Sequence, residues 1–508
     1  MFTKINSAAV LGLDCAPVDV EVDISPRWPG YQIVGLPDAA IQEAKQRIRT
    51  AWKNTGLKFP HNSGIVINLA PADVRKEGAA YDLPMALGMC ICAEEIAGAD
   101  VSDALFVGEL ALDGSLRHTT GILPLALFGR DKGFRRLFVP AVNAKEAGLI
   151  HDIEIYPVAH FRDLINHVTG AKLIEQLPRQ NISEWLAAVE QSDMDMAYVK
   201  GQEFAKRALE IAASGAHNVL LSGPPGSGKT LLARTLPSIL PKMTVDEAID
   251  VTKIYSVAGL LPSDRPLITE RPFRAPHHTA SGIALVGGGT FPKPGEISLA
   301  HRGVLFLDEF PEFPRQVIEN LRQPLEDGIV TISRAQGTIT FPAQFTLVAS
   351  QNPCPCGFAT DPEKTCVCSP MSIAKYQKKI SGPMLDRIDL HVEVPRVQFE
   401  KLAKDDLAEP SARIRERVEE ARERQTRRFH GTRYRTNSEM KNKDLKEHCR
   451  LNDLSIDLLR QAVAHMHLSA RGYHRILKLA RTIADLGGKD DISPEHVAEA
   501  LQYRAKSE

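Results

Sequence analysis

The sequence predicts an α/β protein, with a phosphate-binding-loop core closed by a C-terminal helical lid and an α+β domain in front of it. Three observations predict this. Gly223, Pro224, Pro225, Gly226, Ser227, Gly228, Lys229 and Thr230 follow the apolar run Asn218-Val219-Leu220-Leu221 and precede helix-like residues 231–236. This is the strand, loop and helix context in which backbone N–H groups turn inward on phosphates. Two more apolar runs, 304–307 and 344–349, end in Asp308-Glu309 and in Ser350-Gln351-Asn352, which implies a parallel sheet with its chemistry at the C-terminal edge. From about residue 396 the composition becomes helical and charged.

At 508 residues the chain exceeds one comfortable core and divides into several domains. Its 62 Lys and Arg against 63 Asp and Glu leave a net charge of −1, which excludes the basic field of a nonspecific DNA coat and makes any nucleic-acid site local. The most apolar stretch, 83–93, is bounded by Asp82 and Glu94-Glu95, so a cytoplasmic protein with no membrane span is expected. Eight cysteines do not form a secreted disulfide scaffold.

In chain order, residues 1–170 carry alternating strands such as Val18-Asp19-Val20-Glu21-Val22-Asp23-Ile24, with helical patterns near 39–54 and 83–97. Residues 171–196 are a linker with one short helix around Trp185 and an acidic stretch at Asp193-Met194-Asp195. The phosphate-loop core spans 197–395 and the helical lid 396–508.

The core residues carry a hydrolytic pattern. Lys229 reaches the β and γ phosphates and the Thr230 hydroxyl ligates Mg²⁺, with ATP as the ligand. Asp308 holds the Mg²⁺ water shell, and Glu309 polarises the attacking water. Asn352 either positions that water or caps its strand.

Between Lys229 and Asp308 lie Arg274-Ala275-Pro276-His277-His278-Thr279-Ala280-Ser281, Gly287-Gly288-Gly289 and Pro294-Gly295-Glu296-Ile297-Ser298-Leu299-Ala300-His301. Together with Gly382-Pro383-Met384-Leu385-Asp386-Arg387-Ile388-Asp389 and Ser469-Ala470-Arg471-Gly472-Tyr473-His474-Arg475, they resemble the magnesium-chelatase-like AAA+ ATPases, and more closely the bacterial ComM/YifB group, over essentially the whole chain. The resemblance implies a homo-hexameric ring with ATP between subunits, a helix-2 insert at about 255–300 and a pore-facing hairpin at about 325–342. It makes Arg387 the arginine finger of the neighbouring site, against a plain salt bridge with Asp386 or Asp389. In the lid it makes Arg475 the cis sensor, with Arg471 and Lys478 as alternatives.

Cys354, Cys356, Cys366 and Cys368 place four thiols on a polar loop, 354–368, directly after Asn352. Structural Zn²⁺ is the leading reading, with reduced thiols or a disulfide as alternatives. Residues 1–170 resemble the Lon-protease proteolytic fold, of the ribosomal S5 domain 2-like class, through Arg75-Lys76-Glu77-Gly78-Ala79-Ala80 and Gly108-Glu109-Leu110-Ala111-Leu112-Asp113-Gly114. The serine position is Ala80 and the lysine position about Leu123, so no Ser-Lys hydrolysis runs and the chain is not an active protease.

For nucleic acid, branched or single-stranded DNA in the ring pore, the cationic candidates are Arg271, Arg274 and Lys293 in the insert and Arg334 in the hairpin. Lys76 and Arg75 are alternatives to plain solvated charges. In the lid, Arg413 to Arg428 reads as a solvated Arg/Glu helix, while Arg433-Tyr434-Arg435 is the better phosphate candidate. The resemblance implies an ATP-dependent DNA helicase that promotes branch migration in recombination, as in natural transformation. A chelatase-type remodeler of a protein or metal-insertion partner is the alternative.

Overall fold

The computed structural model describes residues 1–26, 29–96, 100–187, 194–262, 264–289, 292–334, 337–398, 407–432, 434–466 and 468–504. Asp193 and Arg433, both singled out in the sequence, lie outside the described residues. The chain forms two compact units, Met1–Ala188 with Thr244–Thr269, and Val189–Met243 with Glu270–Glu508.

In the first unit, strands Phe2–Leu11, Asp14–Ser25, Gly64–Ala70 and Gly30–Val34 make one sheet in that order, antiparallel except for the last pair. The alternation that marked Asp14–Ser25 as a strand turns Val18, Val20 and Val22 fully inward. They share one buried core with Ile41, Ile48 and Trp52 of helix Ala39–Asn54, which Asp38 caps by accepting from the Ile41 N–H at 2.8 Å. A second, parallel sheet joins Ala104–Phe106, Arg136–Pro140 and Glu154–Val158.

Ala80 lies in the 3₁₀ turn Ala79–Tyr81, and Leu123 is buried in helix Ile122–Asp131, so neither position carries a nucleophile or a base. Lys76, read as a phosphate candidate, is fully buried with its ammonium on the Pro71 carbonyl, which removes it from any DNA-facing role. The linker region holds helix Ile182–Ala187.

Part of the expected insert belongs to this unit. Helix Val245–Ala258 starts on a Thr244/Glu247 capping box, and its Ser256 donates to the buried Glu146 while its carbonyl accepts from Gly121 at 3.2 Å.

The second unit is built on a five-stranded sheet in the order Phe273–Arg274, Val304–Leu307, Thr346–Gln351, Val219–Ser222, Leu390–Glu393, with every pairing parallel. Val304–Leu307 is buried along its whole length, as the continuous apolar run requires of a central parallel strand. Each such side chain contributes roughly 1.5–3 kcal/mol by leaving water.

After the sheet come helices Ser411–Arg428, Asp453–His465, Ala470–Leu486 and Pro494–Gln502, in the segment expected as a lid. The arginines of Ser411–Arg428 are not simply solvated. Arg415 donates to the Ser238 carbonyl at 3.0 Å and Arg422 to the Ala213 carbonyl at 2.8 Å, in the last turns of helices Lys229–Ile239 and Glu203–Gly215. Orphan carbonyls and the negative end of a helix dipole favour this placement of a cation. Arg428 closes on Asp485 at 2.5 Å. Among the described residues, no helix is long and apolar enough to cross a membrane.

Two antiparallel hairpins leave the sheet, Gly287–Gly288 with Lys293–Pro294 and Ile329–Arg334 with Gly337–Pro342. They pack on each other through the glycines. A Cβ at Gly287 would lie 3.2 Å from Ile332 Cδ1 and one at Gly288 3.4 Å from an Arg334 nitrogen. Lys293 and Arg334 are exposed. Arg271 and Arg274, expected as free cations, are braces instead. Arg271 donates to the carbonyls of Pro241 at 2.6 Å and Arg302 at 2.7 Å, and Arg274 makes a two-pronged bond to Glu296 at 2.6 and 2.7 Å.

Candidate functional site

The site forms where strand Val219–Ser222 ends and helix Lys229–Ile239 begins. Gly226 and Gly228 have φ of +77° and +92°, a left-handed backbone that a side chain would strain, and a Cβ at either would meet only open space. The loop is therefore shaped by its glycines and roomy on their side.

Lys229 is buried, and burial holds its ammonium below the usual lysine pKa. Its Nζ donates to the carbonyls of Gly223 at 2.6 Å and Pro224 at 2.9 Å, and to Asn352 Oδ1 at 3.3 Å. The Ser227 hydroxyl is buried in the same loop without a hydrogen-bond partner. A buried cation resting on carbonyls and an orphaned hydroxyl suit an incoming phosphate, which supplies both with a strong acceptor.

Next to the lysine, the Thr230 hydroxyl donates to Asp308 Oδ2 at 3.0 Å. The other oxygen of Asp308 accepts from the Ser350 hydroxyl and from the Glu309 N–H at 3.1 Å. One hydroxyl and one carboxylate oxygen side by side suit Mg²⁺. Glu309 has φ of +52°, rare for a non-glycine residue, and its N–H also reaches Ser350 at 3.2 Å. Its carboxylate, half exposed, lies 3.4 Å from His278 Nδ1.

The fold thus brings Lys229, Thr230, Asp308, Glu309 and Asn352 together. Ser350, His278 and Gln202, whose side chain donates to the Ser227 carbonyl at 3.3 Å and the Pro395 carbonyl at 2.5 Å, join them. His278 stands in a stretch already conspicuous in the sequence, but only tertiary structure aims it at Glu309.

Arg387 and Arg475 lie elsewhere. Arg387 pairs with Glu326, not with Asp386 or Asp389, and donates to the Pro383 carbonyl at 2.8 Å. Arg475 donates to Asp389 Oδ1 at 2.8 Å. Asp389 precedes strand Leu390–Glu393, and its N–H bonds to the Asn218 carbonyl. It therefore lies four residues of strand, roughly 13 Å, from the edge where the phosphate loop emerges. That geometry does not support Arg475 as a sensor of its own subunit's nucleotide. The alternatives are also engaged, Lys478 with the Ser438 carbonyl at 2.7 Å and Arg471 with Glu326 at 3.9 Å.

After Asn352 the chain gathers the four cysteines, with all four sulfurs within 4.8 Å of one another. Sulfur separations of 3.4, 3.7 and 3.5 Å among Cys354, Cys356 and Cys366 are far beyond the roughly 2.05 Å of a disulfide. Backbone N–H groups of Phe358 and Val367 pull the Cys356 thiol down to about 6.

Comparison with known proteins agrees with this geometry. Three family descriptions match in succession: "Magnesium chelatase, subunit ChlI" over residues 195–402, "Subunit ChlI of Mg-chelatase" over 20–143 and "Magnesium chelatase, subunit ChlI C-terminal" over 408–504. The chain is 44% identical to the competence protein ComM of Haemophilus influenzae, covering 99% of this chain and 97% of that one. It belongs to the ComM/YifB family of magnesium-chelatase-like proteins. YifB of Escherichia coli is 40% identical, over 99% of this chain and 96% of its own length. The magnesium-chelatase 67 kDa subunit of Heliobacterium mobile is 26% identical, over 32% of this chain and 28% of its own. A ComM/YifB protein with this loop and sheet is an α/β phosphate-loop protein, and its family implies ATPase activity.

Proposed function

We propose that this chain is an ATP-driven DNA translocase of the helicase type that promotes branch migration during homologous recombination, including the integration of incoming DNA in natural transformation. The observation that carries the motor half is the junction of Lys229, Thr230, Asp308 and Asn352 at one sheet edge. The DNA half is supported by two packed hairpins that hold Lys293 and Arg334 exposed, and by the printed name of the Haemophilus relative, a competence protein.

ATP and Mg²⁺ are the cofactors of this reading. Bound Mg²⁺ supplies charge neutralisation on the phosphates. Lys229 moves its donors from the Gly223 and Pro224 carbonyls to phosphate oxygens, and the Ser227 hydroxyl gains its missing partner. Thr230 and Asp308 would hold the metal. Glu309, its backbone fixed by Asp308 and Ser350 and its carboxylate steadied by His278, takes the proton of the attacking water.

Arg387, which precedes strand Leu390–Glu393 at the end away from the phosphate loop, fits the finger of a neighbouring subunit in a homo-hexamer. The four thiols take a structural Zn²⁺. The N-terminal unit is a Lon-like scaffold without protease activity, and the protein acts in the cytoplasm.

The test is steady-state ATP hydrolysis with and without single-stranded DNA. Stimulation by DNA that disappears in Lys229→Ala supports a DNA-coupled motor. Hydrolysis indifferent to all DNA fails it and favours a chelatase-type remodeler of a protein partner.

A further inference from the structure

We propose that the zinc ion held by Cys354, Cys356, Cys366 and Cys368 is a brace of the nucleotide site, fixing Asn352 and Pro225 against the phosphate loop and thereby setting the turnover rate. This rests on the ATPase reading above.

The donor set is that of a closed metal site. Zn²⁺ bound by four thiolates at about 2.3 Å puts the sulfurs at the corners of a tetrahedron with edges near 3.8 Å. The separations of 3.4, 3.5 and 3.7 Å already approach those edges. Four thiolates leave no position for water, so the ion acts on structure and not as a Lewis acid. A backbone bond typical of an outer shell is also in place, the Cys356 N–H donating to the Cys368 sulfur at 3.4 Å.

The loop between the two cysteine pairs is anchored at a second point. Asp361 accepts from the N–H groups of Glu363 at 2.9 Å and Lys364 at 3.1 Å, and Arg396 Nε donates to it at 2.7 Å. Arg396 directly follows Pro395, whose carbonyl accepts from the same Gln202 that reaches the phosphate-loop carbonyl of Ser227.

The coupling to nucleotide runs through the residues beside the ligands. Asn352, two positions before Cys354, accepts from Lys229. Gly357, directly after Cys356, has φ of +85° and lies so close to the phosphate loop that a Cβ there would come within 2.6 Å of Pro225 Cδ. Its N–H donates to the Cys354 carbonyl at 3.0 Å. Metal, sensor asparagine and phosphate loop therefore form one continuous wall. Without the ion, residues 353–369 lose their first anchor and both contacts slacken.

The experiment is elemental analysis of the purified full-length chain alongside nucleotide affinity and turnover. One zinc per chain is expected, lost in Cys356→Ser and Cys368→Ser, with kcat falling about 10- to 100-fold while ATP affinity changes far less. Gly357→Ala separates the brace from metal loss: strain at its positive φ should lower the melting temperature by a few degrees, but assayed well below that temperature it should keep its zinc and still lose kcat, because the methyl group displaces Pro225. A wild-type chain without zinc overturns the metal site. Zinc-free Cys356→Ser, or Gly357→Ala, turning over at the wild-type rate overturns the brace. Wild-type protein that carries zinc but hydrolyses no ATP sinks the ATPase reading instead.

Discussion

The hydroxyl of Thr230 and the carboxylate of Asp308 meet at 3.0 Å although 78 positions separate them. Parallel pairing of Thr346–Gln351 with both Val219–Ser222 and Val304–Leu307 brings the two strand ends level. The phosphate-loop hydroxyl and the acidic pair are thus held as one site by the strand pairing itself. Pre-organisation of this kind removes the ordering cost from the binding step.

Glu309→Gln should bind ATP with unchanged affinity and hydrolyse it about 10²- to 10⁴-fold more slowly, because the amide cannot accept the proton of water. Single-turnover hydrolysis with an independent measurement of nucleotide affinity checks this. Wild-type turnover would remove Glu309 as the base.

His278 acts through Glu309, 3.4 Å away, so it is a positioning residue. His278→Ala should lower kcat by about tenfold with KM for ATP little changed, the signature of misplacement at the reacting centre. A rise in KM with unchanged kcat would mean that the histidine serves binding.

A finger supplied by a neighbour makes a distinctive prediction for mixtures. Arg387→Ala subunits keep an intact nucleotide loop, and Lys229→Ala subunits keep an intact finger. Each alone should be inactive, while an equimolar mixture should recover measurable hydrolysis at the interfaces that pair a good loop with a good finger. Mixtures as dead as their parents would place Arg387 outside the reaction.

Arg334 is exposed on a hairpin that packs against Gly288, where it can grip a DNA backbone. Arg334→Ala should leave basal ATPase untouched, weaken DNA binding irrespective of sequence and lower the salt slope of binding by about one. Unchanged DNA affinity would move the interface elsewhere.

Asp389 sets a pH dependence. Burial alone would raise its pKa, but Arg475 and His217 outweigh it and hold the carboxyl well below the usual range. Because the folded value lies below the unfolded one, near 3.9, the stabilisation is present at neutral pH and is lost as pH falls below about 4. Asp389→Asn should cost about 3 kcal/mol at pH 7 by leaving Arg475 unpaired, and should flatten the acid limb of the melting curve. Equal acid sensitivity in both proteins would contradict this assignment.

The parts of the site legible in the sequence are those coded locally. Five glycine and proline positions before Lys229, and acidic or amide residues directly after apolar strands, need no knowledge of packing to be recognised. Arg475 is the least legible part, because the place of a sensor arginine depends on how the C-terminal helices dock, and Ala470–Leu486 turns that side chain onto Asp389 at the far edge of the sheet. Lys76, Arg271 and Arg274 share a second cause. A cation looks solvated in sequence, yet buried carbonyls and carboxylates recruit it once the chain folds. The same blindness hid Val245–Ala258, whose fixed point, Ser256 on Glu146, links residues 110 positions apart.

The central claim is tested most directly by incubating the purified protein, ATP and Mg²⁺ with a synthetic four-way DNA junction, with Lys229→Ala as the control. The account predicts ATP-dependent resolution of the junction into duplex products by the wild-type chain and none by the variant. ATP hydrolysis that leaves the junction intact would contradict it.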